Sequence, residues 1–263
     1  MVRWITLLTD FGHRDVYVGV MKGVIFSIYP QAQVIDLCHE IPPQDCRTAS
    51  FQLLQAFPYF PKGTVHLVVV DPGVGTSRRA IALDFGNAYG VGPDNGIFSQ
   101  VCDRYPPQRV VELTQPHFWR TPNPSATFHG RDIFAPVAAH LSRGVDLMAL
   151  GEPLDPKVLV QLPDLGYEST PRGVRGSIQA SDRFGNLITT LPAELLAKGY
   201  HWVEIQGQRI PIAKTKTYGD VPPHHLIALA GSHGFIEIAV NGGSAQRVLG
   251  CENGDPVWLM RRS

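Results

Sequence analysis

The 263-residue sequence has few cysteines, no excess of charge of either sign and no long apolar run. Cysteine occurs only at Cys38, Cys46, Cys102 and Cys251, with no CxxC pair, which argues against a zinc knuckle or a small disulfide scaffold. This usage favours reduced thiols in a cytoplasmic protein. Lysine plus arginine equals aspartate plus glutamate, at 23 each. That balance argues against a nucleic-acid-binding protein or a membrane-surface protein.

The sequence also offers no targeting or membrane signal. The N-terminal MVRWITLLTDFG has too short an apolar run for a signal peptide, and Asp10 interrupts it. No stretch approaches the length of a membrane span. We therefore expect neither a cleaved leader nor a membrane anchor.

Common cofactor and hydrolase motifs do not occur. The sequence has no GxGxxG, no GxxxxGK[ST], no HExxH and no GxSxG. The pairs His39-Glu40 and His224-His225 lack a third ligand at metal spacing. We expect no metal ion and no separate cofactor.

The first half of the chain alternates between two apolar periods. Short β-branched runs at 4–8, 34–37 and 65–70 predict buried strands. Between them, 15–29 and 45–57 predict helices, the first with Val16, Val20, Val24 and Ile28 on one apolar face. This order predicts an α/β domain with a mostly parallel sheet. A hairpin turn is predicted at Gly86-Asn87, and a helix at 130–142.

Proline-rich sequence at 151–172 marks the predicted domain boundary, and after about residue 173 the pattern is strand-like. We predict an α/β domain over 1–165 and a smaller all-β, barrel-like domain over 173–263. A short helix is predicted at 192–198. The predicted strands of the second domain are 174–180, 187–190, 201–205, 226–230, 235–240 and 256–260.

Three separated residues are the first candidate catalytic set. Asp71 directly follows the strand at 65–70, Arg78 comes next in a loop with two glycines, and His129 precedes a helix. In open α/β sheets, ligands bind outside the carboxyl ends of strands. A carboxylate, a guanidinium and an imidazole can polarise a water molecule, with either His129 or Asp71 taking its proton. The alternative is a structural ion pair beside an ordinary histidine.

Carboxylates after the first strand form a second candidate set. Asp10 stands at the end of that strand, where a carboxylate can accept the hydroxyls of a ribose. Asp15 follows closely, and it is either a second substrate contact or a helix N-cap.

Two loops of the second domain form further candidates. SDRFGN offers Asp182, Phe184 and Asn186, which suit an adenine ring and its polar edge, or else form a plain turn. The GSHG loop and the strand that follows it offer backbone amides, hydroxyls and Glu237 as ligand contacts. The alternative is that they form a plain hairpin.

Taken in order, these motifs resemble the S-adenosyl-L-methionine hydroxide adenosyltransferase family, whose relatives include the fluorinase and chlorinase. The motifs are TDFG, VVDPGVGTSRR, GPDNG, FHGRDIFAP, SDRFGNLIT and GSHGFIEIAVNGGSA, spread over nearly the whole chain. The resemblance implies hydrolysis of S-adenosyl-L-methionine by water attack at C5′ of the ribose, releasing adenosine and L-methionine. It also implies a homotrimer whose sites lie between one subunit's first domain and a neighbour's second domain.

The resemblance assigns roles to individual residues. Asp71, Arg78 and His129 match the water-activating triad, Asp10 the ribose carboxylate and Asn186 an adenine contact. Asp182 matches a partner of the methionine amino group. Ser232, Glu237 and Val240 are expected to line the nucleoside or methionine end.

Three other functions remain open at this point. A SAM-dependent halogenase is one, although the halogenating relatives lack the Asp–Arg–His set and carry an arginine where this chain has His233. A non-catalytic nucleoside-binding module and a phosphoester hydrolase are the others.

Overall fold

The computed structural model describes residues 4–163, 165–213 and 217–261. The chain folds into two compact units, Met1–Leu162 and Pro163–Ser263. Among the helices of the described residues, none has the length and apolar character needed to cross a lipid bilayer.

The first unit is built on a seven-stranded mixed sheet. Four neighbouring strands in the order β2-β1-β3-β5 are parallel, and the other three pairings are antiparallel. The prediction of a mostly parallel sheet is therefore right for one half of the sheet only. The strands are β1 (Trp4–Thr9), β2 (Gln33–Cys38), β3 (Thr64–Val69), β4 (Ala80–Asp84), β5 (Ala88–Pro93), β6 (Arg109–Glu112) and β7 (Glu152–Leu154), in the order β2-β1-β3-β5-β4-β6-β7.

Connection length explains the change of direction. Parallel neighbours need a long crossover, which the helices between β1, β2 and β3 supply. The predicted turn at Gly86-Asn87 instead joins β4 directly to β5, and such a short loop makes the pair antiparallel.

Helices cover both faces of this sheet. They are α1 (Tyr17–Ile28), α2 (Cys46–Ala56), α3 (Ser99–Arg104) and α4 (Ala135–Arg143). Helices α1 and α4 share one apolar core, and α2 and α3 share the other. Strand β3 lies between the two cores and is buried along its whole length, as its run of β-branched residues predicts.

The predicted apolar face of α1 is only half right, because Val24 and Ile28 pack against the core and Val16 and Val20 do not. Val18, Met21 and Ile25 face the core, whereas Val16 is 74% exposed and Val20 is also exposed. A stripe with a spacing of four residues drifts around a helix of 3.6 residues per turn, by about 40° at each step. The i, i+3, i+7 spacing of the observed stripe stays on one face.

The second unit is an antiparallel sheet that nearly closes. All its strand pairings are antiparallel, in the order β12-β11-β15-β9-β10-β14-β13, with β8 on β9. A bridge between Ile212 and Ala228 draws the two ends together, so the barrel-like description fits. Its elements are β8 (Glu168–Thr170), β9 (Gly173–Ser181), β10 (Leu187–Pro192), β11 (Trp202–Ile205), β12 (Gln208–Pro211), β13 (Leu226–Ala230), β14 (Phe235–Val240), α5 (Ala245–Leu249) and β15 (Pro256–Met260).

We expect Asp45→Ala to loosen α2, because the Asp45 carboxylate caps that helix. It accepts hydrogen bonds from the backbone N–H of Thr48 at 2.9 Å and from the Thr48 hydroxyl at 2.6 Å. Losing an N-cap lowers the stability of a helix by about 1 kcal/mol, so amide hydrogen exchange in the first turn of α2 should quicken roughly fivefold. Asp15→Ala is the control, since α1 has no side-chain cap and its exchange should not change. Unchanged exchange in α2 would contradict the cap.

Candidate active site

The crossover connections create a crevice at one edge of the first sheet. The chain runs from β1 outward to β2 and then returns to β3 on the other side of β1. Such a reversal of strand order opens a ligand crevice at the carboxyl ends of the two central strands. Asp10 directly follows β1 and Asp71 stands two residues beyond β3, and both line one cleft of about 370 Å³.

The structure brings Asp71, Arg78 and His129 into contact. Arg78 donates from Nε to Asp71 Oδ1 at 3.0 Å and from Nη2 to Asp71 Oδ2 at 2.5 Å. The same Nη2 lies 3.0 Å from His129 Nδ1. The side chains of Asp71 and Arg78 are only 6% and 7% exposed, and the guanidinium lies over the Phe134 ring at 5.3 Å. A fixed, buried cation therefore links a carboxylate and an imidazole that both line the cleft.

The loop that carries Arg78 is held by close backbone contacts. Gly75 has φ +76°, and a Cβ there would lie 2.2 Å from the carbonyl oxygen of Ala126, so only glycine fits. Asn95 donates from Nδ2 to the carbonyl of Val70 at 2.9 Å, which fixes the backbone next to Asp71. The Gly75 contact joins the loop after β3 to the segment that precedes His129.

The neighbouring arginine has a different role. Arg79 donates from Nε and Nη2 to Asp94 Oδ2, and from Nη2 also to the carbonyl of Val158 at 2.7 Å. Asp94 in turn accepts from the backbone N–H of Val160 at 2.9 Å. Arg79 thus links Asp94 to the segment that contains Val158. Of the two adjacent arginines, only Arg78 contacts His129.

His129 is presented by an unusual helix start. Residues Gly130–Phe134 form a π-helical turn before α4, a feature often found at functional sites. Asp132, 1% exposed, accepts from Arg131 Nε at 2.7 Å and from the backbone N–H of Ser125 at 2.9 Å. This buried carboxylate anchors the loop before His129 to the helix after it.

Donor chemistry fixes the proton on His129. Arginine can only donate hydrogen bonds, so the Nδ1 that faces Arg78 must be unprotonated and the neutral ring carries its proton on Nε2. Burial lowers the pKa of His129, and the Arg78 charge lowers it further. Burial raises the pKa of Asp71, and the contact with Arg78 opposes that rise only in part. Asp71 is therefore an unusually basic carboxylate beside a neutral histidine.

The two predicted carboxylates after β1 are placed differently. Asp10 lines the cleft and accepts from the backbone N–H of Gln44 at 2.8 Å, which leaves acceptor capacity for a ligand. Asp15 is exposed, and the structure does not place it among the residues lining that cleft. Its alternative as an N-cap is wrong, because Val16 occupies that position and α1 has no side-chain cap.

The second unit has a cleft of its own, of about 690 Å³, lined by Asp182, Phe184, Asn186 and Val240 among others. Asp182 Oδ1 accepts from the backbone N–H groups of Phe184 and Asn186, and Oδ2 accepts from Asn186 Nδ2, all at 2.9 Å. The segment therefore forms a turn, as its alternative interpretation predicts, and Asp182 holds that turn. The turn projects Phe184 outward, 76% exposed, at the side of this cleft.

Sequence reasoning missed Tyr218 at this cleft. Its hydroxyl donates to Glu237 Oε1 at 2.7 Å, and His233 Nε2 lies 3.1 Å from Glu237 Oε2. Burial and this bond to Glu237 raise the pKa of Tyr218 to about 12. Glu237 is buried behind Tyr218, and Ser232 is exposed in its loop outside the residues that line the cleft. Tyr218 begins a single 3₁₀ turn, Tyr218–Asp220, in a Gly- and Pro-rich stretch where no periodic pattern marks it.

Possible metal ligands are dispersed. Within residues 4–163, 165–213 and 217–261, no three His, Cys, Asp or Glu side chains lie close enough together to hold a metal ion.

Comparison with known proteins identifies the family. The family model for the SAM hydroxide adenosyltransferase N-terminal domain matches residues 5–151, and the model for the C-terminal domain matches residues 176–258. This chain belongs to the SAM hydroxide adenosyltransferase family.

Relatives of this adenosyltransferase-family chain have several names. A Thermus thermophilus protein named (R)-S-adenosyl-L-methionine hydrolase is 43% identical, covering 98% of this chain and all of that protein. A fluorinase from Nocardia brasiliensis is 25% identical over 91% of each chain. Among solved structures, an uncharacterized conserved protein from Thermotoga maritima is 40% identical, covers 98% of this chain and 100% of its own, and superposes with a TM-score of 0.92.

We expect nitrogen NMR of labelled histidine to find His129 of this family member as the Nε2–H tautomer at pH 7. Its pKa should lie below the ordinary value of 6.5, because burial and Arg78 both disfavour the imidazolium. Since the unfolded chain then takes up the proton first, the contribution of this group to stability is present above pH 6.5 and is lost as the pH falls through the lowered pKa. Arg78→Gln, which removes the cation, should raise the pKa of His129. An Nδ1–H tautomer, or a pKa at or above 6.5, would contradict the geometry.

Proposed function

We propose that this protein is an S-adenosyl-L-methionine hydrolase that uses water to displace methionine from C5′ of the ribose. The observation that carries the proposal is the contact of Arg78 with both Asp71 and His129, two residues that line the same cleft as Asp10. The names of the relatives at 34–43% identity support the same reaction. The reaction releases adenosine and L-methionine.

The triad suits the activation of water. Arg78 provides a fixed positive charge that favours hydroxide character in a bound water molecule. His129 can donate from Nε2–H but has no free acceptor nitrogen, since Nδ1 faces Arg78. We therefore assign the role of proton acceptor to Asp71, whose basicity burial increases.

The bonds and charges balance without further reactants. The water oxygen forms a bond to C5′ as the C5′–S bond breaks, and the bonding electrons pass to sulfur, which becomes a neutral thioether. One proton of the water moves to Asp71 and is later released to solvent. A sulfonium is already a good leaving group, so no acid is needed at sulfur. The site must mainly hold the water and the ribose in line, which can contribute about 7–11 kcal/mol in favourable cases.

Asp10 is proposed to hold the ribose. Its carboxylate lies in the same cleft as Asp71, and its bond from Gln44 fixes its orientation. Asp10 can still accept hydrogen bonds from both hydroxyls of a ribose. Asp15 stays a prediction as a substrate contact.

The second unit is proposed to bind the remaining parts of the substrate. The exposed ring of Phe184 offers a stacking face for adenine, and Asn186 offers a donor and an acceptor for the edge of the base. Asp182, Ser232, Glu237 and Val240 are proposed for the methionine and nucleoside ends. Tyr218 joins this set through its bond to Glu237.

We further propose a homotrimer whose sites combine the first unit of one subunit with the second unit of a neighbour, as the family resemblance implies. The exposed apolar residues Val16, Tyr17 and Phe26 at α1 support self-association, since they offer apolar surface that another protein could cover. A cytoplasmic location stays a prediction.

The first test identifies the product. In water enriched in ¹⁸O, the enzyme should convert S-adenosyl-L-methionine to adenosine that carries the label at its 5′ oxygen, with no label in methionine. The L in the relatives' name fixes the α-carbon, so its (R) refers to the sulfonium centre, and both epimers should be assayed. His129→Gln and Asp71→Asn should lower kcat by about 10²–10⁴. Asp103→Asn, exposed on α3, is the control and should keep full activity.

The product also separates the alternatives. A 5′-chloro-5′-deoxyadenosine formed in chloride would indicate a halogenase, and methylthioadenosine would place the attack on the methionine carbon instead. Tight adenosine binding with no turnover would indicate a nucleoside-binding module. Any of these outcomes overturns the hydrolase proposal.

The second test concerns shared sites. Light scattering should give about 87 kDa for three copies of the 28.9-kDa chain. Asp71→Asn and Asn186→Ala should each be nearly inactive alone, whereas co-expression should restore roughly a quarter of the wild-type activity if subunits mix at random. Sites formed within one subunit would give no restoration.

A further inference from the structure

We propose that Thr9 and His39 are positioning residues that hold Asp10 in place for the ribose. This inference rests on the proposed function, because it assumes that Asp10 binds the ribose hydroxyls. Neither residue belongs to the triad or to the proposed substrate contacts. The basis is a chain of contacts that runs from the end of β2 into the turn that carries Asp10.

His39 contacts that turn at two points. Its Nδ1 lies 2.8 Å from the hydroxyl of Thr9, directly before Asp10. Its carbonyl accepts from the backbone N–H of Gly12 at 2.7 Å, just beyond Asp10. A third contact, from the backbone N–H of Gln44 to the Asp10 carboxylate, comes from the same stretch after β2. The four residues 9–12 are thus held against the loop that follows β2.

The directions of the protons are consistent along this chain. The Thr9 hydroxyl oxygen accepts from the backbone N–H of Phe11 at 3.2 Å, and its own proton points to His39 Nδ1. On the other side of the ring, His39 Nε2 lies 3.0 Å from Asp36 Oδ1. A carboxylate only accepts, so the proton of a neutral His39 belongs on Nε2 and leaves Nδ1 free to accept from Thr9. Burial lowers the pKa of His39, which keeps this neutral form.

The chain ends at the surface in an ion pair. Lys22 on α1 donates to Asp36 Oδ2 at 2.6 Å, and both side chains are partly exposed. His39 itself is fully buried, with His13 packed edge-on against it at 5.1 Å. The buried Thr9–His39 pair is therefore the rigid part of this chain of contacts. Asp36, which is paired with Lys22, orients the His39 ring.

Strand β1 contains a second Thr–His pair that serves as a matched control. The Thr6 hydroxyl lies 2.8 Å from His66 Nδ1, and both residues are buried. Thr6 is four residues before Asp10 in the interior of the strand, and His66 lies in β3 rather than in the loop after β2. Removing this hydroxyl deletes the same kind of bond without touching the turn at Asp10.

The test compares Thr9→Val with Thr6→Val in the full-length protein. For each variant, calorimetry gives the ratio of Kd values for 2′-deoxyadenosine and adenosine, and kinetics give kcat/KM for S-adenosyl-L-methionine. Thr9→Val should lower the preference for adenosine and kcat/KM by about tenfold, because small misplacement of a positioning group has large effects. Thr6→Val should leave both unchanged despite a similar fall in melting temperature. Thr9→Ser, which keeps the hydroxyl, should restore both values.

A double variant tests whether Thr9 acts on nucleoside preference through Asp10. In an Asp10→Asn background, Thr9→Val should cost little more, since it acts through the carboxylate that is already altered. Full additivity, or an unchanged nucleoside preference in Thr9→Val, overturns the positioning role. If the wild-type protein does not hydrolyse S-adenosyl-L-methionine but still prefers adenosine to 2′-deoxyadenosine, the proposed reaction is overturned and the positioning role is not. A wild type that does not discriminate between the two nucleosides would overturn this inference.

Discussion

The bidentate pair of Arg78 with Asp71 is the interaction on which the site depends. Both side chains are almost fully buried, so each charge has lost most of its hydration and depends on the other for compensation. Removing one partner of such a pair typically costs about 3–5 kcal/mol, because the remaining charge is left unpaired. The geometry also sets the state of His129, since a guanidinium that faces Nδ1 allows only one neutral tautomer. One ion pair therefore fixes the charge, the basicity and the proton positions of the cleft.

Sheet topology explains why this pair lies where a ligand can reach it. Asp71 and Asp10 are 61 positions apart in the sequence but follow adjacent parallel strands, so both carboxylates emerge at the same edge. Gly75 then lets the loop after β3 approach the backbone of Ala126, which brings Arg78 towards the segment before His129. The buried Asp132 holds that segment from the other side. Three local constraints thus converge on one cleft.

The sequence predicted most strands because their burial leaves a simple pattern. In the second unit, strands β13, β14 and β15 have the predicted bounds, since each is a short apolar run between clear turn residues. Short polar strands such as β8 and β12 carry no such pattern and were not predicted. The predicted face of α1 was only half right because apolar residues occur on two faces of that helix, and sequence alone does not show which face meets the sheet.

For the site, strand ends and loop glycines indicated where Asp10, Asp71 and Arg78 would meet. They could not indicate contacts that depend on side-chain geometry. The proton position on His129 follows only from which of its nitrogens faces Arg78. The bond from Tyr218 to Glu237 joins a short 3₁₀ turn to a strand, and the contact of His39 with Thr9 joins two strand ends. In both cases the partners are far apart in the sequence and have no shared spacing.

Charge balance links this geometry to the choice between water and halide. Arg78 is matched by Asp71 and His129 is neutral, so the triad as a whole carries no net charge, while Asp10 adds one negative charge to the cleft. A sulfonium is a cation, and its approach to an unmatched guanidinium would be opposed by repulsion that grows as water leaves the site. A halide has the opposite requirement, because an anion that has lost its hydration needs positive charge or several donors around it. While Asp71 is ionised it matches the charge of Arg78, so that charge is not available to hold a halide. Water differs from a halide because it can give a proton to Asp71, and the Arg78 charge then stabilises the hydroxide that develops. The arrangement therefore favours a cationic substrate and a neutral nucleophile in the same cleft.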